Sequence, residues 1–321
     1  MNSSSNSVPD SSPAMAPTAV PETRPLYWSI RRELWENRSI YLAPLAAAGV
    51  YGLGFLISLV GLSHRMRKEL APKIGDVAPL DPTQRLVPLA MPYAHAAMLI
   101  MAIAFIVGIF YSLDALYGER RDRSILFWKS LPVSDLDTVL SKAVVPLVIL
   151  PILVFAITVP LQIMMRLLSM AVLQLHGEAG AGLLWNQLPL FDMELVLLYG
   201  LAVLALWHAP IYAWLILISG SARRAPFVWA VLPPLAIGAF EKIAFNTSYF
   251  GSLIGDRVFG FAASAFDLKD KNGVAVDAHF IPLAQLAPGR FLSSPGLWLG
   301  LAVAAAFLAL AVRQRRDRGP V

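Results

Sequence analysis

The groups able to do chemistry are concentrated in one segment. Glu119-Arg120-Arg121-Asp122-Arg123 sets five charges side by side and runs directly into Ser124-Ile125-Leu126-Phe127-Trp128-Lys129-Ser130-Leu131-Pro132-Val133-Ser134. Half charge and half large apolar side chain, the segment suits docking a soluble partner at a membrane face. Covalent chemistry is poorly served elsewhere. Without cysteine the chain has no disulfide, no thiolate nucleophile and no cysteine metal site. His176-Gly177-Glu178 lacks metal-ligand spacing, and nothing in the spacing suggests that Ser, His and Asp converge as a hydrolase requires. Asp192 and Glu194 precede an apolar run and suit a helix start. We therefore assign no catalytic, cofactor-binding or metal residue. Asn246-Thr247-Ser248 matches a glycosylation acceptor formally, a tripeptide frequent by chance.

Three ionisable groups sit within or at the ends of apolar runs, where burial is costly and a function is the default hypothesis. His208, beside Pro210 and in mid-run, is the candidate for lining a substrate path; the plainer reading is a neutral imidazole bonded to a neighbouring helix. His95 falls near the start of its run, where it meets headgroups. Glu241 is most simply explained as the partner of Lys242 near a membrane boundary.

The elements that position these residues follow from composition. The chain is 57% hydrophobic and 15% charged, against about 25% charged in soluble domains. It reads as an all-α polytopic membrane protein, because helices satisfy their own backbone hydrogen bonds where hydrocarbon offers no partner. No alternating barrel pattern competes. Ser39 to Leu62 is uncharged and about 36 Å long as a helix, enough for a hydrocarbon core of about 30 Å. Further runs cover 86–113, 143–165, 195–221 and 291–312. A sixth span, 225–245, is interrupted by Pro226, Pro233 and Pro234 and could instead form a re-entrant hairpin. In the first span, Ala48 with Gly52 and Gly54 with Ser58 have the small-residue spacing that lets helices approach.

Residues 1–25 are rich in Ser, Pro and Ala and read as a disordered tail with no signal-peptide core. From 26 to 38 the pattern is amphipathic. Tyr27, Ile30 and Leu34 share one face, Trp28 and Trp35 lie two turns apart, and Arg31, Arg32, Glu33 and Glu36 fill the rest, as in an interfacial helix. Counting basic residues across six spans puts 15 of 26 Lys and Arg on the side holding the termini and the 114–142 loop, which favours a multi-pass topology with both termini cytoplasmic. A basic tail, 313–321, closes the chain, and 246–290 forms a long outer loop. The net charge of +5 reflects loops facing an anionic leaflet, so no nucleic-acid partner is expected and membrane lipids are.

Within 114–142, the charges cannot enter lipid while Ile125 to Trp128 gain by leaving water, which places the segment at the interface. Leu131-Pro132 breaks the helix. Ser134 with Asp137 makes a capping-box-like restart, and Asp135 and Asp137 complement the dipole of the helix that becomes the third span. The result is an elbow.

At these residues the chain resembles the membrane (permease) subunits of ABC-2 type transporters. In those, an acidic-basic pair, a short helix and a Leu-Pro-x-Ser turn follow the second span; Glu119-Arg120, Ser124-Ile125-Leu126, Leu131-Pro132-Val133-Ser134 and Lys142 stand in these places. The layout agrees, with an amphipathic helix, six spans and a large extracytoplasmic loop after the fifth. Arg123-Ser124 replaces the small Gly-Thr pair often found there, and Trp128-Lys129 is unusually bulky and basic. The resemblance implies the permease subunit of an ATP-driven exporter, working as a homodimer or heterodimer with a similar permease. The coupling elbow would dock on a separate ABC ATP-binding subunit through Glu119, Arg120, Arg121, Arg123, Ile125, Phe127, Trp128, Leu131, Pro132 and Ser134. It implies no cofactor in this chain, with ATP and Mg on the partner, and a location in the plasma membrane, as in a bacterial inner membrane. No G-x-x-x-x-G-K-[ST] stretch is present to bind ATP here. Two other readings fit the same residues: a membrane scaffold that recruits a cytoplasmic partner, and an intramembrane enzyme centred on His208.

Overall fold

The computed structural model describes residues 25–77, 82–130, 133–175, 188–267 and 281–317, of which 25, 60–77, 82–89, 173 and 175 are described by backbone alone. The tail at 1–24, Leu131-Pro132 and His176-Gly177-Glu178 lie outside the described residues. Among those described, the chain is helical, with one isolated bridge between Phe266 and Leu286 in place of any strand.

In chain order, α1 (Pro25–Glu36) precedes α2 (Ser39–Val77) and α3 (Pro82–Asp114). The elbow follows as α4 (Tyr117–Arg121), α5 (Ile125–Ser130) and α6 (Asp135–Val144). A π turn at Val145–Ile149 joins α6 to α7 (Leu150–Leu175), and α8 (Leu190–Ser221) and α9 (Pro226–Phe245) come next. The outer region holds α10 (Tyr249–Phe259), α11 (Phe261–Ala265), a 3-10 turn at Leu283–Gln285 and α12 (Pro288–Leu292), before α13 (Pro295–Asp317).

Among the described residues, six helices are long and apolar enough to cross a membrane: Ser39–Leu59, Ala90–Arg121, Asp135–Val172, Leu190–Ser221, Pro226–Phe245 and Pro295–Asp317. They match the six spans expected. The prolines do not break α9, which is a continuous 20-residue helix, about 30 Å long. Where prolines at 146 and 151 each remove a backbone donor, the chain inserts the π turn and continues rather than stopping.

Between spans, lipid tails are as apolar as the side chains, so close packing rather than water exclusion holds the bundle. Gly52 admits Leu161 and Met164 of α7, and Gly108 admits the Tyr212 ring of α8; a Cβ at either would lie 3.0–3.3 Å from those atoms. Only the first small-residue pair of α2 works this way. A Cβ on Gly54 would meet nothing within 4 Å, so Gly54 faces outward and packs on no neighbour.

The stretch 246–290 carries short helices over its described part. Trp207 donates to the Asp256 carbonyl (3.2 Å) and Tyr199 to the Ala265 carbonyl (3.1 Å), seating α10 and α11 on α8. Rather than pairing with Lys242, Glu241 accepts from the Thr247 hydroxyl (2.8 Å) and from the backbone N–H groups of Tyr249 (2.7 Å) and Phe250 (2.8 Å). It thus satisfies the first donors of α10, which an isolated helix end leaves orphaned.

Candidate functional site: an elbow on a buried charge cluster

The local signals of the elbow act as read. Ser134 adopts an extended conformation, its hydroxyl oxygen accepts the Asp137 N–H at 3.0 Å, and α6 begins at Asp135. Asp122 closes α4, and Arg123 takes a left-handed conformation (φ 58°) that turns the chain into α5. Glycine, without a Cβ, would adopt this conformation at no steric cost.

Behind the elbow lies a cluster whose members come from five helices. Lys142 of α6, 2% exposed, places its Nζ 2.9 Å from Glu33 Oε1 and 3.1 Å from Glu119 Oε1. Arg32 Nη2 reaches the same two oxygens at 2.8 and 3.0 Å. The Tyr111 hydroxyl of α3 donates to Glu33 Oε2 at 2.8 Å. On the far side, Arg315 of α13 approaches Glu119 Oε2 at 3.6 Å and bonds to Asp135. Three cations, Arg32, Lys142 and Arg315, therefore face three inner anions, Glu33, Glu119 and Asp135, with the exposed Glu36 3.6 Å from Arg32 at the margin. Formal neutrality and repeated hydrogen bonding are what make so much buried charge tolerable. Burial by itself would raise the Glu33 carboxyl, but the facing Lys142 ammonium and Arg32 guanidinium outweigh it and hold that carboxyl below its usual value.

Glu33 shows what a helical wheel alone could not. In α1 the polar residues were expected to face water, yet Glu33 is 1% exposed while Tyr27, Trp28 and Trp35 are exposed. Arg31 covers the Trp28 and Trp35 rings at 5.4 and 4.9 Å, so the outer face of α1 is aromatic and the inner face carries the acid.

The predicted docking residues divide into two sets. Glu119, Arg120 and Ile125 are interior. Arg120 donates to the Gly220 and Ala222 carbonyls at 2.7 and 3.2 Å, capping the C-terminus of α8, and the Leu116 N–H bonds Ser219 Oγ at 3.2 Å. Trp128 is half-buried, with the Arg32 guanidinium 3.9 Å over its ring. Arg121, Arg123, Phe127 and Ser134 are exposed, as is Leu126, which belongs to the same apolar run but was not in the predicted docking set. Arg121 pairs with Asp122 at 3.0 Å and Asp114 at 3.8 Å. Lys129 donates to the Arg316 carbonyl at 3.2 Å and so joins α5 to the end of α13. Leu131 and Pro132 lie outside the described residues.

His208 is deeply buried. Nδ1 lies 3.0 Å from the Leu204 carbonyl and Nε2 3.1 Å from that of Val258, so the ring bridges α8 to α10. This is the neighbouring-helix bonding of the plainer reading. A small apolar cavity nearby is lined by Phe105, Leu150, Val154 and Tyr212 among others, without His208. Glu194 lies inside α8 with both carboxylate oxygens buried and unpartnered. Among the described residues no group of three or more His, Asp or Glu side chains could hold a metal ion.

Fold and site together define an all-α, multi-pass membrane protein with an ionically anchored elbow. No family model matches the chain, and no curated protein or solved structure matches it.

Proposed function

We propose that the chain is the permease subunit of an ATP-driven exporter of the ABC-2 type, and that a separate ATP-binding subunit docks on the elbow. One observation carries the reading. Leu126 and Phe127, each 59% exposed, form an apolar step on a short helix flanked by the exposed Arg121 and Arg123, with the neutral charge cluster directly behind them. Apolar anchors ringed by charge suit a protein partner.

The anchoring supplies the mechanics. A push on α5 reaches α1 through Arg32 on the Trp128 ring, and α13 through Lys129 and the Arg316 carbonyl. Arg120 carries it to α8. ATP-driven closure of the partner would then move the elbow as a rigid body and reorient the attached spans, provided the partner's two states contact the elbow with different energies. In this scheme the elbow and both termini are cytoplasmic, the protein lies in a plasma membrane of the bacterial inner-membrane kind beside a second permease, and the apolar spans favour an amphipathic or lipid-like cargo. ATP and Mg bind the partner.

The test is recovery of a soluble ATPase with the tagged chain, followed by ATP-dependent flux of amphipathic cargo in vesicles holding both. An ATPase that binds without flux would leave a scaffold. Neither binding nor flux, or labelling of a Phe127→Cys chain from outside intact cells, would defeat the proposal.

A further inference from the structure

On α7, Thr158, Gln162, Arg166 and Ser169 recur at spacings of four, four and three, which confines them to an arc of about 80°. That stripe faces α3 in the half of the bundle away from the elbow. Gln162 Nε2 donates to the Tyr93 carbonyl at 3.0 Å. Because that carbonyl accepts only an N–H, the other end of the amide, Oε1, points elsewhere. Ser169 satisfies itself within its own helix, donating to the Met165 carbonyl at 2.9 Å. Others do not. Thr158 Oγ1 and Gln162 Oε1 are buried and have no hydrogen-bond partner, and Tyr93 Oη makes no hydrogen bond within 3.5 Å, its polar neighbour being the Ser169 hydroxyl. Their residues are 0%, 2% and 3% exposed. Tyr93 belongs to one buried apolar cluster with Ala96, Ile100, Val154 and Leu161, whose side chains offer no hydrogen bond.

Three orphaned groups along one seam are costly in an apolar interior, and native proteins supply such groups with partners. The Thr158, Gln162 and Tyr93 groups combine donors with acceptors, which is the complement of a hydroxyl, and the Arg166 guanidinium adds a cation to the same stripe. We propose that the α3–α7 interface holds a hydroxyl-binding seam, running from Tyr93 past Gln162 to Thr158, which takes water and the hydroxyl groups of a polar cargo. The cargo part rests on the exporter reading; the hydration part stands without it.

The native absence of cysteine makes the test direct. Thr158→Cys and Gln162→Cys are compared with Val154→Cys, at an apolar buried site, and Ile163→Cys, at a lipid-facing one. The probe is silver ion, which follows water and consumes thiols, applied to the full chain in lipid nanodiscs. Both seam cysteines should react at least tenfold faster than both controls; rates as slow as the controls overturn the seam. Thr158→Val keeps the shape and removes the hydroxyl, so it should lower the melting temperature if that hydroxyl is bound. An unchanged or raised value overturns the seam at Thr158. Repeating the Gln162→Cys reaction in an alkyl maltoside and in an alkyl amine oxide separates the two sources. Slowing in the maltoside alone assigns sugar-like hydroxyls, whereas equal fast rates overturn the cargo part and restrict the seam to water. No step needs an ATPase or measured flux, so failure here is distinct from failure of the exporter reading.

Discussion

Lys142 Nζ lies 2.9 Å from Glu33 Oε1, a contact across 109 residues that ties the helix before the first span to the start of the third. The ammonium also serves Glu119 at 3.1 Å, so one cation joins α1, α4 and α6. Removing it leaves two buried carboxylates short of positive charge. Lys142→Met should cost about 3–5 kcal/mol, toward the lower end because Arg32 still reaches both acids. Adding Glu33→Gln should then cost less than it does in the native background. A double-mutant cycle on melting temperatures in detergent checks this, and strictly additive losses would mean the two residues are not coupled.

The same cluster sets a response to acid. The Glu33 carboxyl is held below its ordinary value of 4.5, against the effect of burial, by Lys142 and Arg32. A depressed carboxyl stabilises the docked α1 fully above the ordinary value, and that contribution disappears as pH falls through the lower, docked value. The melting temperature should therefore drop as pH falls below about 4.5. Glu33→Gln should melt lower at neutral pH and show a shallower drop. A variant as acid-sensitive as the native chain would place the response elsewhere.

Much of this architecture was legible because its signals are local. Uncharged runs long enough to span need no tertiary information, and Ser134 caps with a residue three positions on. The cluster is different in kind. Arg315 meets Asp135 across 180 positions, and nothing near either residue announces the other. Glu33 was read as facing water because a wheel assigns acids to the wet side, whereas tertiary pairing reversed the face. Glu241 was assigned to its sequence neighbour, yet three donors of the following turn and helix claimed it. The stripe of Thr158, Gln162, Arg166 and Ser169 carried a visible period, but four polar residues diluted in a long apolar run passed as ordinary composition.

Arg123 holds a left-handed conformation at φ 58°, which costs a residue with a Cβ about 1–2 kcal/mol. Glycine removes that cost but adds chain entropy to the unfolded state. Arg123→Gly should therefore stabilise by about 0.5–1 kcal/mol, while a β-branched Arg123→Val should destabilise. Paired melts decide it, and a lower melting temperature for Arg123→Gly would show that the arginine side chain stabilises the turn by more than the strain it bears.

Neighbouring positions on α5 separate folding from docking. Ile125 is 2% exposed and Phe127 59%, although both belong to the same apolar run. Ile125→Ala empties a packed site and should cost about 2–4 kcal/mol of stability. Phe127→Ala removes a side chain that packs on little within the chain beyond its edge contact with Trp128, so stability should change by less than about 0.5 kcal/mol. If an ATP-binding subunit seats on this step, Phe127→Ala should nonetheless weaken its association at least tenfold, since exposed aromatic anchors carry a disproportionate share of binding energy. Titrating the recovered ATPase against both variants at matched folded fraction gives the comparison. Unaltered affinity for Phe127→Ala, together with Leu126→Ala, would remove the apolar step from the interface and leave Arg121, Arg123 and Ser134 as the exposed docking candidates among the described residues of the elbow.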